Sequence, residues 1–291
     1  MESKNPIFSR AEGFNGRGSA NTTYPGAGQQ YPGYGNDPSH WGIGTPGSTT
    51  GQTTQVDQGR MTIDSVVQKT GITLAVVVLA AAVTWFMTPE VTSQTSLAPL
   101  YTLALVGALG GFVLAMVNSF KRIISPALVL AYAALEGIFV GAFSKVLEAM
   151  FASPETGRGG LVIGAVIGTM AAVAGTLAAY KFFNIKVGAK FRMWVIGAMF
   201  GFVAVSLLNM VMGAFGNDFG FNGFGTMGLI SSVIGLGLGV LMLILDFDFI
   251  ERGIAAGLPE RESWRAAFGL TVTIVWIYIE LLRLLAIMRG D

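Results

Sequence analysis

AAFGLTVTIVWIYIELLRLLAIM, residues 266–288, decides the fold. About 20 apolar residues in a helix cross a ~30 Å hydrocarbon layer, and this stretch is that long. It nevertheless carries Glu280 and Arg283. A charge at bilayer depth costs roughly 2.5–3.5 kcal/mol, so this helix must turn its charged face toward protein or water. It therefore needs neighbours, and the preceding chain supplies them. Apolar stretches at about 70–87, 99–118, 125–147, 160–181, 192–213 and 226–249 alternate with short polar breaks. The expected fold class is an all-α integral membrane protein with a seven-transmembrane helix bundle over residues 61–291.

Composition supports that class. The chain has 291 residues, 52% hydrophobic and 12% charged, against roughly 25% charged in a soluble domain. Too few charges remain to build a polar skin. Residues 1–60 differ: they hold five of the ten prolines and 12 of the 40 glycines, with hardly any aliphatics. Such a segment cannot bury enough apolar area to offset the entropy of ordering, so a disordered tail is expected. Its Tyr-Pro-Gly repeats are either a solvated tail or a weak sticker for a partner. It lacks a signal-peptide pattern, so the first span is expected to act as its own insertion signal.

Several functions fall away on the same counts. The net charge of +1 gives no basic surface for nucleic acid. No cysteine is present, and His40 in the tail is the one histidine, which removes thiol chemistry and an intramembrane Ser/His pair. The Gly-x-Gly-Asp sequence of intramembrane aspartyl proteases is missing around the acidic candidates. GLGLGVLMLILD, from Gly235 to Asp246, superficially matches a dinucleotide glycine run but lies inside a span, where helix packing explains it better. The expectation is a protein that is not an enzyme and carries no cofactor. No convincing internal repeat of the kind found in transporters is visible.

Two patterns add detail. Glycines at Gly107/Gly111, Gly137/Gly141, Gly160/Gly164/Gly168, Gly197/Gly201 and Gly235/Gly239 have the spacing that lets helix backbones approach closely in lipid. Lys121, Arg122, Lys181, Lys186, Lys190, Arg192, Arg252, Arg261 and Arg265 fall on the tail's side of the spans, against Lys145 and Arg158 opposite. By the positive-inside rule the N-terminus is expected in the cytoplasm and the protein in the cell membrane.

The ionisable residues inside spans are Glu136, Asp246, Asp248, Glu280 and Arg283. Asp246 and Asp248 are either solvated at the membrane edge or turned inward. Their i, i+2 spacing points them in different directions. Glu280 either pairs with Arg283 at i+3 or lines a polar path facing a sixth-span acid. Two carboxyls that close cannot both ionise cheaply and share one proton; ionised, they suit a divalent cation. Glu136 either hydrogen-bonds another helix as a neutral acid or extends that path.

MTIDSVVQKTGITLAVVVLAAAVTWF (61–86), LEGIFVGAFS (135–144), LDFDFIERG (245–253) and WIYIELLRLLAI (276–287), in that order, resemble the Bax inhibitor (transmembrane Bax inhibitor motif) family, most closely its bacterial YccA-like branch. The resemblance implies a last helix surrounded by the other six. It also implies a carboxylate pair between the sixth and seventh helices that latches a pH-sensitive calcium leak. The sixth-helix position falls on Asp248, with Asp246 as second choice, and the seventh-helix position on Glu280. Both would then be possible calcium ligands, with Arg283 and Glu136 beside the ion path. A regulatory protein that restrains a membrane protease or stress-response complex is the alternative the resemblance allows. Glu280 lies about 21 Å beyond Ala266 at 1.5 Å per residue. It therefore meets Asp248 only if the last helix starts below the membrane plane or tilts.

Overall fold

Thr62 starts the first helix. Its hydroxyl accepts from the Ser65 N–H at 3.1 Å while the Ser65 hydroxyl accepts from the Thr62 N–H, also at 3.1 Å. This reciprocal cap satisfies two otherwise orphaned donors. The computed structural model describes residues 59–91, 97–151, 160–183 and 185–290. Its helices are α1 (Ile63–Met87), α2 (Ala98–Phe120), α3 (Pro126–Phe151), α4 (Leu161–Phe182), α5 (Ala189–Ala214), α6 (Thr226–Ala255) and α7 (Glu262–Gly290). All seven are long and apolar enough to cross a membrane. No strand occurs among the described residues, only an isolated bridge between Arg60 and Pro259. The tail read over residues 1–60 lies outside the described residues, except Gly59 and Arg60. These two are held against the chain: Glu260 N–H donates to Gly59 O at 2.6 Å.

The helices run beyond the expected spans, most clearly in α1 and α6. α6 continues past Asp248 and ends where Gly257, at φ +65°, turns the chain in a left-handed conformation. Gly257 N–H bonds Ile254 O and Leu258 N–H bonds Gly253 O, each at 3.0 Å, a Schellman closure that uses up the last carbonyls. Leu258 O then accepts Met61 N–H at 2.7 Å. Lys69 adds a salt bridge to Glu260 at 2.8 Å. The α6–α7 turn is thus fastened to the start of α1.

α7 is the central helix. In its most apolar stretch 61% is buried, against 17% for α2 and α5. α1, α3, α4 and α6 pack along it, while α2 lies outside on α3 and α5 outside on α6. The expected ring of six is therefore a ring of four with two outriggers. Most of the glycine pairs explain the close contacts. A Cβ at Gly137 or Gly141 would strike the α1 backbone, one at Gly107 the α3 backbone, and one at Gly239 the Ile277 side chain. Gly164 and Gly168 receive Leu285 and Leu281 of α7. Gly197 and Gly201 correct the pattern: a Cβ there would meet nothing within 4 Å. Gly160 has another use. At φ +86° it precedes α4, and the Glu148 carboxylate accepts from the N–H groups of Gly160, Leu161 and Val162 at 2.8–3.3 Å.

Lys145, three residues before Glu148, performs the complementary cap. Its ammonium donates to Trp85 O at 2.8 Å, Thr88 O at 2.6 Å and Thr88 Oγ1 at 2.9 Å, satisfying carbonyls that α1 leaves open at its end. One end of α3 therefore joins the C-terminus of α1 and the N-terminus of α4 by charge.

Two predictions follow from this packing. Gly141→Val drives a side chain into α1 and destabilises the bundle by about 1–3 kcal/mol, read as a lower melting temperature in detergent; Gly201→Val leaves that temperature nearly unchanged. Lys145→Met leaves the α1 carbonyls without their donor and lowers thermal stability by about 1–3 kcal/mol, measured in the same way.

Candidate functional site

Asp246 and Ser231 of α6 and Thr273, Glu280 and Arg283 of α7 lie along the seam between these two helices, and the antiparallel register of the helices decides who meets whom. Four contacts fix it. Asp246 faces Gly269 and Thr273; Gly239 faces Trp276 and Ile277; Gly235 faces Glu280; Ser231 faces Arg283. The seam residues on each helix recur at three- to seven-residue intervals and form one stripe. Glycine at Gly235 and Gly239 lets the Glu280 and Ile277 side chains press onto the α6 backbone, and Trp276 Nε1 donates to Gly235 O at 3.0 Å.

This register corrects the expected carboxylate pair. Glu280 is level with Gly235, so along α6 it lies about 16 Å from Asp246 and about 20 Å from Asp248 at 1.5 Å per residue. The early start of α7 at Glu262 does not close that gap. Neither sixth-helix acid meets Glu280, and Asp248 and Glu280 do not form a joint calcium site. Among the described residues no group of three or more His, Cys, Asp or Glu is placed to hold a metal ion.

Each acid instead has its own environment. Asp248 is buried, yet it points away from α7. Arg192 of α5 donates to its Oδ2 at 2.8 Å and Arg252 to its Oδ1 at 3.0 Å. Arg252 also donates to Val187 O at 2.7 Å. Asp248 thus fastens α5 and the α4–α5 connection to α6, an arrangement that neither solvation nor an ion path anticipated. Asp246, two residues earlier, faces the seam, as the i, i+2 spacing implied. Thr273 Oγ1 donates to its Oδ2 at 2.6 Å, and it makes no ion pair among the described residues. Its partner on α7 is a hydroxyl where a second acid was expected.

Glu280 and Arg283 do pair. Arg283 Nη1 donates to Glu280 Oε2 at 3.2 Å, with both side chains at most 10% exposed. Arg283 Nη2 reaches Phe221 O at 3.2 Å, Gly223 O at 3.4 Å and Ser231 Oγ at 3.4 Å, while its buried Nε has no protein partner. Ser231 Oγ itself donates to Phe221 O at 2.5 Å. The pair therefore pins the 215–225 connection across the end of the bundle. Phe151 packs against Phe224 there, with ring centroids 4.9 Å apart and the ring planes tilted by 46°. Tyr278, one turn away on α7, shares a 2.7 Å hydrogen bond with Ser144 of α3.

Glu136 belongs to a different seam. It faces α2, where a Cβ at Gly111 would come 2.9 Å from its Oε2. It does not join the α6–α7 groups. Thr273 and Arg192 are the residues that sequence reasoning missed. Thr273 carries a signal in retrospect, since it lies seven residues before Glu280 and so on the same face of α7. Arg192 gives none, because nothing local links it to α6.

The site is thus a polar seam with two stations. Asp246 and Thr273 lie toward the end that carries Lys69, Lys121, Arg122, Arg252 and Arg265; Glu280 and Arg283 lie toward the other. A comparison with curated proteins finds no match. A family model described as Bax inhibitor 1 like matches residues 5–290, reaching well into the N-terminal tail, and the chain belongs to that family.

Proposed function

We propose that the protein is a pH-sensitive cation leak, with calcium as the transported ion, and that Asp246 with Thr273 is its switch. It stands in the cell membrane with the basic end in the cytoplasm, following the positive-inside rule. The observation that carries the reading is the 2.6 Å hydrogen bond from Thr273 to Asp246 across the central seam. A carboxyl in this position has two states of opposite character. Protonated, it is neutral and gives a cation no reason to enter. Ionised, it presents hard oxygen ligands next to a single hydroxyl donor, which favours water and a divalent cation.

The groups around it support a single-site switch. On α7 it faces Gly269 and Thr273, neither of which titrates. On α6 the nearest acid, Asp248, is occupied by Arg192 and Arg252. Glu280 is matched by Arg283 and, in this reading, closes the far end with the 215–225 connection instead of sensing pH. The protein makes and breaks no covalent bond in this scheme.

The test is calcium flux into liposomes holding the full chain, followed from pH 5 to pH 8. Flux rises with pH in the wild type, because the ionised form attracts the cation. Asp246→Asn lowers the high-pH flux at least about tenfold, equivalent to ~1.4 kcal/mol, and flattens the profile. Glu280→Gln keeps the pH profile but strands a buried guanidinium, destabilising the fold by about 3–5 kcal/mol. A wild type that leaks no faster than empty liposomes, or an Asp246→Asn variant with the wild-type profile, overturns the proposal.

A further inference from the structure

α1 and α4 both pack on α7 but stay apart from each other at the basic end. Between them is a crevice of about 1060 Å³, at the upper limit of ligand pockets, which run to roughly 1,000 Å³. Its walls are Val67 and Leu74 of α1, Val173 and Leu177 of α4 and the stretch of α6 between residues 247 and 255; its floor is Leu270 and Ile274 of α7. From Val173 to the mouth at Lys181 it extends about 12 Å along α4. Val67 is 64% exposed and Leu177 49%, so the walls continue the apolar exterior that lipid covers. The crevice is thus open sideways to the bilayer.

The mouth is charged, and its charges are unevenly engaged. Glu251 accepts from Tyr180 Oη at 2.6 Å, and Asp248 is held by Arg192 and Arg252. Lys181 and Lys186 line the same mouth, are exposed, and make no ion pair among the described residues. An apolar slot beneath two unengaged ammonium groups, at the depth where a helix leaves the membrane, matches one occupant: a molecule with an aliphatic chain and an anionic head. We propose that this crevice binds an anionic glycerophospholipid from the leaflet at the basic end, one acyl chain between α1 and α4 and the phosphate between Lys181 and Lys186. Residues 2–58 suit the slot less well, since they are poor in aliphatics and carry both signs of charge. The inference is independent of the leak.

Native mass spectrometry of the full chain tests it, in micelles doped with phosphatidylglycerol or with phosphatidylcholine of identical acyl chains. One phosphatidylglycerol is retained per chain in preference to phosphatidylcholine. Replacing both lysines, Lys181→Gln with Lys186→Gln, reduces that preference by about 30-fold, as expected for two juxtamembrane lysines. Ile274→Trp fills the floor and removes retention of either lipid. The lysine variant changes only exposed side chains, so it decides the matter if Ile274→Trp fails to fold. Equal retention of both lipids by the wild type, undiminished preference in the lysine variant, or displacement of the lipid by millimolar inorganic phosphate alone overturns the proposal. Binding that appears only after residues 2–58 are deleted also overturns it, since the tail is then the occupant.

Discussion

Every polar side chain that α7 carries into the apolar bundle must find a partner there, and α6 supplies those of Thr273 and Trp276 and one of those of Arg283. An unpaired carboxylate or guanidinium at that depth costs far more than a surface ion pair contributes, so the partner set dictates how the two helices slide against each other. Asp246 on Thr273, Gly235 under Glu280 and Ser231 beside Arg283 are satisfied together in one register only. A shift that brought Glu280 to Asp248 would strip Arg283 of its carbonyls and set Glu280 among the arginines that Asp248 already occupies.

The rest of the bundle is arranged around that seam. Close approach on the other faces depends on glycine, with α3 lying against α1 at Gly137 and Gly141. Charge then fastens the helix ends instead of the helix middles: Lys145 and Glu148 at one end, the Asp248 clamp and the Lys69–Glu260 bridge at the other. The Lys145 and Glu148 ties sit at helix termini, where open carbonyls and N–H groups need partners in any case. Between the ties at the two ends, Asp246 makes no ion pair among the described residues and accepts its hydrogen bond from the Thr273 hydroxyl. This is the physical reason to look for function at Asp246 and for structure at Asp248.

Much of the architecture was legible in the sequence. Apolar stretches of spanning length located all seven helices, and the small-residue steps marked most of the close contacts. Gly197 and Gly201 misled because spacing records that a helix could approach there, not that one does. The candidate site was legible in part. Glu280 and Arg283 are three residues apart on one helix, so their pairing follows from local geometry. The partners across helices did not follow. A stripe of polar residues on α6 and another on α7 can be aligned in several registers, and Thr273 looked like an ordinary span residue until Asp246 was seen opposite. The difficulty in depth between Asp248 and Glu280 pointed to the right answer, since the observed register, with Glu280 level with Gly235, sets them about 20 Å apart along α6.

The α6–α7 register is therefore the claim to measure, and the absence of cysteine from the chain makes the measurement clean. Paired substitutions in the membrane-embedded protein, treated with a short bifunctional thiol reagent, report which positions face each other. Asp246→Cys with Thr273→Cys cross-links rapidly, and Asp248→Cys with Glu280→Cys does not. The opposite outcome, cross-linking of positions 248 and 280 with none between 246 and 273, would contradict the account.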